Sequence, residues 1–273
     1  MAEALATVSR GEAVAPVRGH IDFGEGAGTY LISGALPELD LLTVKVINVR
    51  PRNAARGMPR LQGALTAFRA STGEPLATFD APAVTEVRTA ACSAVSFRHM
   101  ARPDASVLVI FGGGPQAVAH RRALLAERQL LEVRSVGRND DSRGAVVDAD
   151  AVVTATNSAT PLFPAAAVRA GTHLMCVGSG SPEAMEVEPG LLARATAIRV
   201  DHRPTCLAES GEIVEAVASG LIREDDVREL GDVLLGRVHG RQDESDITVY
   251  KSVGNGTQDA ALAALLLGVT AAA

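Results

Sequence analysis

The sequence predicts an α/β protein of two lobes, a parallel sheet covered by helices and set into a smaller α+β lobe. Three observations predict this. The chain has 273 residues, 47% of them apolar, enough to fill two modest cores. From about residue 102 to residue 253 the continuously apolar segments "SVLVIF", "LLEVRSV", "DAVVTAT", "THLMCVG" and "ATAIRV" are spaced by helical stretches, as in parallel strands buried on both faces. The N-terminal part holds shorter alternating or β-branched segments, "TYLIS", "LLTVKVINV", "RLQGALTAF" and "PLATFD", separated by Pro, Gly and Asn, which predict a small separate sheet.

Taken in order, those early strands lead into "TEVRTAACSAVSFRHMA", with Ala91, Val95 and Arg98 or His99 at helical spacing, closed by the proline of "RPDAS". The change of texture there sets a boundary: residues 1–101 form the first lobe and residues 102–253 the second. Within the second lobe, "LAESGEIVEAVASG" and "REDDVRELGDVLLG" read as helices, acidic near their starts and ended by Gly220 and Gly236. Glu209, Glu212 and Glu215, at i, i+3 and i+6, read as a solvated helix face. The closing helix "TQDAALAALLLGV" is apolar nearly all round and must be buried, against the first lobe or another subunit. Residues 254–273 are therefore assigned to the first lobe.

Composition excludes several classes. No apolar run reaches the eighteen positions a membrane span needs, and the start, "MAEALATVSRGEA", lacks the basic and apolar blocks of a secretory signal. Cys92, Cys176 and Cys206 are widely separated and read as reduced, buried thiols of a cytoplasmic protein. A net charge of −6 and eight aromatic residues without Trp offer neither the field nor the stacking platforms for nucleic acid. No H-E-x-x-H, G-x-S-x-G or G-x-x-x-x-G-K-[ST] pattern occurs, and no metal site is expected. His173 and His202 read as hydrogen-bonded structural residues.

The segment "VLVIFGGGPQAVAHRRALL" is the strongest local motif. A dinucleotide site needs a glycine for the tight strand exit, a second where the backbone meets the pyrophosphate, and a small residue where helix packs on strand. Gly112, Gly114 and Ala117 hold those positions, Pro115 suits the first helical turn, and Ala117, Val118, Leu124 and Leu125 are spaced to face a sheet. Gly112, Gly114, Pro115, Gln116 and Ala117 are thus the candidate pyrophosphate seat of a Rossmann-like domain. At the tip of the next strand, "VRSVGRND" places Gly137 and Arg138 where an acidic residue would select NAD(H). Arg138 suits a 2′-phosphate, so NADPH is favoured over NADH. Asp140 and Asp141 stand close behind and weigh the other way.

In the first lobe, Arg18, Lys45 and Arg88 sit among small or apolar residues. Alternation points Lys45 the same way as Thr43 and Ile47, and burial would lower its pKa enough for proton transfer. The segments "VKVINVRPRNAARGMPRLQG", "TEVRTAACSAVSFRHMARPDAS", "IFGGGPQAVAH", "VVTATNSATPLF", "ESGEI" and "GRQDESDITVYKSVGNGTQDAALA" together resemble the ornithine cyclodeaminase and mu-crystallin family. The resemblance implies a dimer in which a nicotinamide domain is inserted into a substrate and dimerisation lobe. It also implies that Arg18, Lys45 and Arg88 hold the carboxylate of an amino or imino acid, with Lys45 and Arg88 the candidate catalytic pair. Thr154, Thr156 and Asn157 at one strand end, and Gly178 and Ser179 on the next loop, fall beside the cofactor.

Two departures qualify the resemblance. The cyclodeaminases carry an Asp where "CVGSGSPEAMEVEP" has Gly180, and glycine moves no proton. Between "SVGRND" and "DADAVV" there is little room for the helix and strand of a full Rossmann half, so the cofactor domain is expected to be shortened. The resulting expectation is an NAD(P)H-dependent oxidoreductase acting on the C=N or CH–NH group of a small imino or amino acid. Two alternatives stand beside it: an ornithine or lysine cyclodeaminase with bound NAD, and a non-catalytic mu-crystallin-like binding protein.

Overall fold

Alternation along the N-terminal segments becomes an antiparallel meander. The computed structural model describes residues 1–270. A short helix α1 (Ala2–Arg10) precedes five strands, β1 (Gly19–Asp22), β2 (Gly28–Leu36), β3 (Leu41–Val49), β4 (Leu61–Arg69) and β5 (Pro75–Asp80), each paired with the next in sequence. Residues Leu41, Thr43, Lys45 and Ile47 of β3 face inward while Val44 and Val46 face out, as the two-residue period requires. Neither α1 nor β1 was legible in the sequence pattern; β1 is exposed along its whole length and held only by its hairpin to β2.

The C-terminal helix, Gly256–Leu267, covers the inner face of this meander and completes a core with Leu36, Leu41, Leu65, Ala67 and Val84. Two glycines set how close it comes. A Cβ on Gly34 would lie 2.2 Å from the carbonyl carbon of Gly256, and a Cβ on Gly256 would lie 2.1 Å from Ser33 O. Without those side chains the helix start rests directly on β2, and Thr43 Oγ1 donates to Gly256 O at 3.3 Å.

Helix α2 (Ala81–Met100) begins where Asp80 Oδ1 accepts the Ala83 amide at 2.8 Å, an N-terminal cap ahead of Pro82's turn. Its buried face carries Val84, Arg88, Cys92, Ser96 and Met100; Arg98 and His99 are exposed and Ala91 and Val95 half-buried, so the inner face is rotated from the expected one. The chain divides into two units, one of Glu3–Arg88 with the segment from Gly254 onward, the other of Thr89–Val253. The division falls inside α2, whereas the strand texture put a boundary near residue 102, because a change in strand pattern becomes visible only once the helix has ended.

The second unit is built on a seven-stranded parallel sheet. Its elements are β6 (Val107–Phe111), α3 (Pro115–Glu127), β7 (Glu132–Val136), α4 (Ser142–Val146), β8 (Ala151–Thr154), β9 (His173–Cys176), α5 (Pro189–Arg194), β10 (Ala197–Val200), α6 (Arg203–Glu209), α7 (Gly211–Ala218), β11 (Val227–Glu229), α8 (Leu230–Leu234) and β12 (Thr248–Lys251). The strand order is β11-β10-β12-β9-β8-β6-β7. From β6 the chain steps outward to β7, then crosses back to β8 on the other side of β6, which makes the β6 end the switch point where α/β sheets bind ligands. Only α4 lies between β7 and β8, and β7 is left as an edge, so the shortened domain is observed.

Three local expectations change. On α3 the inner face is Ala117, His120 and Leu124, while Val118 and Leu125 are exposed. "LAESGEIVEAVASG" breaks at Ser210, whose backbone is extended at φ −94° and ψ 108°, and the next residue, Gly211, packs so closely that a Cβ would meet Ala184 O at 2.3 Å. "REDDVRELGDVLLG" is not one helix but a 3-10 turn, strand β11 and α8; parallel pairing of Val227 with Ile198 overrides its helical pattern.

Candidate active site

In the first unit, β3 carries Lys45 beneath the C-terminal helix. Its side chain is 1% exposed, and Nζ lies 2.8 and 3.0 Å from the two oxygens of Asp259 and 3.1 Å from Thr85 Oγ1. Arg88 on α2 is 5% exposed, donates to Gln258 Oε1 at 2.7 Å, and places Nε 3.5 Å from Asp259 Oδ1. Gly254, at φ +82°, makes room for it: a Cβ there would stand 2.4 Å from the guanidinium. Arg18 lies with its guanidinium carbon 4.6 Å from the centre of the Tyr30 ring, a cation–π contact.

These cations act on one another. Burial pushes the Lys45 amine down to about 8; Asp259 opposes the fall, and Arg88 and Arg18 add to it. One carboxylate, Asp259, thus stands against Lys45 and Arg88, and the charge of Arg18 adds to theirs. Sequence reasoning named the cations and missed Asp259. The available signal was a lone acid near the start of an otherwise apolar helix.

In the second unit, Gly112 leaves β6 at φ +114°, where a Cβ would sit 2.5 Å from Ala155 O. Gly113 and Gly114 have open space where a side chain would be. Gly114 caps α3 without any side-chain acceptor on the helix amides, and Pro115 has no N–H, so the donors are those of the turn, Gln116 and Ala117. An open, uncapped helix start with room for backbone approach fits a pyrophosphate. At the β7 tip both acids are occupied: Asp140 Oδ2 accepts from Gly137 N at 2.7 Å and Asp141 Oδ1 from Gly144 N at 2.9 Å. Arg138 is exposed.

The loops after β8 and β9 are tied together by a carboxylate that sequence reasoning did not single out. Glu186, fully buried, accepts from Thr154 Oγ1, Thr156 N, Thr156 Oγ1 and Gly178 N, each at 2.7 Å. Thr154 and Thr156 therefore spend their hydroxyls on the loop itself, while Asn157 is exposed at its tip. Ser179 is held from the other side by Lys251 Nζ, 2.9 Å from Ser179 O and 2.8 Å from its Oγ. Lys251 pairs with Glu212 at 2.9 Å, both essentially unexposed. Burial alone would lower the Lys251 pKa; Glu212 and Glu186 outweigh it and raise it. Glu212 is thus not part of a solvated face: the chain breaks between Glu209 and Glu212, and the latter turns inward to Lys251.

His173 and His202 are hydrogen-bonded structural residues. His173 contacts Ser96 Oγ at 3.2 Å and Thr248 Oγ1 at 2.9 Å, and burial drives its pKa to about 3, so it stays neutral. His202 contacts Thr205 Oγ1 at 2.6 Å. Cys92, Cys176 and Cys206 are buried free thiols. Among the described residues no cluster of His, Cys, Asp or Glu is placed to hold a metal, and no helix is long and apolar enough to cross a membrane.

A parallel sheet with a glycine turn at its switch point, in one chain with a meander whose covering helices bring Arg88 and Asp259 to Lys45, defines a Rossmann-type two-unit α/β protein. The chain belongs to the ornithine cyclodeaminase/mu-crystallin family, whose model matches residues 1–147 and 135–268. A Delta(1)-pyrroline-2-carboxylate reductase of Bacillus cereus is 31% identical over 287 aligned residues, covering 96% of this chain and 88% of the relative. The Thermococcus litoralis Delta(1)-pyrroline-2-carboxylate reductase, solved with NADH and L-proline, superposes with a TM-score of 0.90 at 26% identity, covering 98% of this chain and 92% of that one. An archaeal alanine dehydrogenase dimer with bound NAD gives a TM-score of 0.91 at 27% identity, covering 98% and 88%.

Proposed function

We propose that the chain is an NAD(P)H-dependent oxidoreductase that reduces the C=N bond of a small imino acid to CH–NH, or runs the reverse reaction on the amino acid. The observation that carries this reading is the buried Lys45 amine, paired with an Asp259 that it shares with Arg88, its pKa brought to about 8. Three of the relatives, two pyrroline-2-carboxylate reductases and an alanine dehydrogenase, bear names for work on that bond, while a lysine cyclodeaminase at 26% identity stands for the alternative. A cyclic imino acid such as Delta(1)-pyrroline-2-carboxylate is the first substrate to test.

In this reading Arg18 and Arg88 hold the substrate carboxylate by charge-assisted hydrogen bonds and fix its orientation. When bound, the reduced nicotinamide supplies a hydride to the imine carbon. Lys45 Nζ donates the proton to the imine nitrogen, so that one hydride and one proton convert C=N to CH–NH. Asp259 keeps Nζ aimed and moderates the loss of its charge. The turn at Gly112–Gly114 and the α3 amides of Gln116 and Ala117 seat the pyrophosphate, with Pro115 setting the first turn. The loops bearing Thr154, Thr156, Asn157, Gly178 and Ser179 shape the nicotinamide side.

The two solved relatives hold NADH and NAD. Here NADPH is the preferred cofactor in our reading, because Asp140 and Asp141 are bound to backbone amides and Arg138 is exposed at the β7 tip. Gly180 offers no carboxylate for deamination, which places reduction ahead of cyclodeamination. The apolar outer face of the meander, with Leu31 beside Val46 and with Val44, suits a second copy of the chain, and a cytoplasmic homodimer completes the proposal.

The test is titration with NADPH and NADH, followed by cofactor oxidation with cyclic and linear imino acids. Oxidation that is lost in Lys45→Ala and Arg88→Ala supports the reading. Ammonia release from ornithine or lysine would replace it with a cyclodeaminase, and failure to bind either cofactor with a non-catalytic binding protein. Turnover left intact in both variants would overturn the site.

A further inference from the structure

The amino-terminal ends of β10 and β12 frame a polar cavity, at the opposite end of the parallel strands from the loops after β6, β8 and β9. Its volume is about 300 Å³, and its lining includes Arg199, Arg237, His239 and Arg241 against a single carboxylate, Asp246. Arg199 forms the floor. It is only 8% exposed, donates to Ile198 O at 2.9 Å and to His239 O at 2.6 Å, and its buried Nε has no hydrogen-bond partner.

The charges around Arg199 are spoken for. Among the described residues no carboxylate reaches ion-pair distance of it. In the parallel register it stands abreast of Arg228, and like charges side by side on one sheet face repel. Asp232, the nearest acid on that side, lies 3.6 Å from Arg228 and 3.4 Å from Arg237. The Asp246 carboxylate accepts from the Gln242 and Asp243 amides, each at 2.8 Å. Arg241 is fastened to carbonyls, at 2.6 Å from Asp246 O and 2.8 Å from Met100 O, and Asp246 is the acid that most supports its charge. Burial and Arg228 lower the Arg199 pKa to about 10, with Asp232 only partly opposing the fall.

A buried guanidinium whose one opposing carboxylate, Asp232, is shared with Arg228 and Arg237 is left short of counter-charge, which is unfavourable. A bound anion removes the penalty, and a fork of guanidinium N–H groups matches the oxygens of a phosphate. We infer that this cavity binds a compact oxyanion, a phosphate group, held by Arg199 from the floor and by Arg237 and His239 from the rim. The site is separate from the pyrophosphate seat at Gly114 and does not depend on the proposed reaction.

The probe is inorganic phosphate, titrated calorimetrically into the full-length protein against chloride at matched ionic strength, with and without saturating NADPH. The expected result is saturable phosphate binding that survives addition of the cofactor and raises the melting temperature. Arg199→Gln abolishes it, and Arg237→Ala, at an exposed rim position that does not threaten folding, weakens it about tenfold, the loss of one charge-assisted hydrogen bond. Phosphate binding no stronger than chloride, displaced by NADPH, or unchanged in Arg237→Ala would overturn the assignment.

Discussion

Lys45 Nζ stands 2.8 Å from the nearer oxygen of Asp259, and each side chain is 1% exposed. The amine of a strand and the acid of the C-terminal helix thus form a buried pair in which the two ends of the chain meet. The Lys45 pKa falls from an ordinary 10.5 to about 8, through burial against the opposing charge of Asp259. The unfolded chain therefore keeps this proton up to about 10.5 and the folded chain only to about 8. It follows that Lys45 lowers stability below pH 8 and that this loss is relieved as pH rises between the two values. For imine reduction the ammonium is the active form, so the rate should fall as pH rises through about 8. Asp259→Asn removes the charge that supports the proton and should move that limb down by about one unit or more. The pH profile of kcat/KM reads it, and a limb that stays in place would remove Lys45 as the acid.

The first and third glycines of the turn make opposite predictions. A Cβ on Gly114 enters open space, whereas one on Gly112 meets Ala155 O at 2.5 Å from a φ of +114°. Gly114→Ala should fold normally and weaken both nicotinamide cofactors by about tenfold, as one obstructed charge-assisted hydrogen bond would. Gly112→Ala should lose about 1–3 kcal/mol of stability from backbone strain alone. Melting curves and cofactor titrations on the two variants separate a ligand seat from a merely tight turn. Equal cofactor affinity in Gly114→Ala and the parent would mean that the turn has no ligand.

Arg138 tests the choice of cofactor. One oxygen of Asp140 is held by the Gly137 amide and one of Asp141 by the Gly144 amide, which leaves Arg138 the cation at the β7 tip to meet a 2′-phosphate. Arg138→Ala should weaken NADPH by about tenfold, the scale of one charge-assisted contact, and leave NADH unchanged. Paired dissociation constants decide it, and an equal change for both cofactors would place Arg138 elsewhere.

What the sequence made legible was local. Alternation along "LLTVKVINV" placed Lys45 inward, and the strand, glycine and helix signals around Gly112 lay within one short segment. What it hid were pairings between distant residues. Glu212 read as solvated because nothing near it in sequence announces Lys251, which reaches it from β12. Asp259 was masked by the apolar helix that carries it, since only packing of Gly256 on Gly34 brings that face over Lys45. Strand β11 was hidden because Val227 finds its partner Ile198 only through the fold.

Glu186 provides the last prediction, since its carboxylate gathers Thr154, Thr156 and Gly178 at 2.7 Å each. Glu186→Ala strands these donors in a buried setting, where each unmade hydrogen bond costs about 1–3 kcal/mol. The melting temperature should fall by about 5–10 °C, the shift that a loss near 3 kcal/mol gives a chain of this size. Glu186→Gln keeps one carbonyl oxygen for two of the donors but turns an amide NH2 toward the others. The Thr154 hydroxyl can rotate away from that NH2, and the Gly178 N–H cannot, so the loop after β9 loosens while the loop after β8 holds. If that loop carries the nicotinamide side of the site, Glu186→Gln should weaken cofactor binding while the substrate KM at saturating cofactor stays near the parent value. A uniform loss in both constants, tracking only the fraction folded, would reduce Glu186 to a stabiliser of the core.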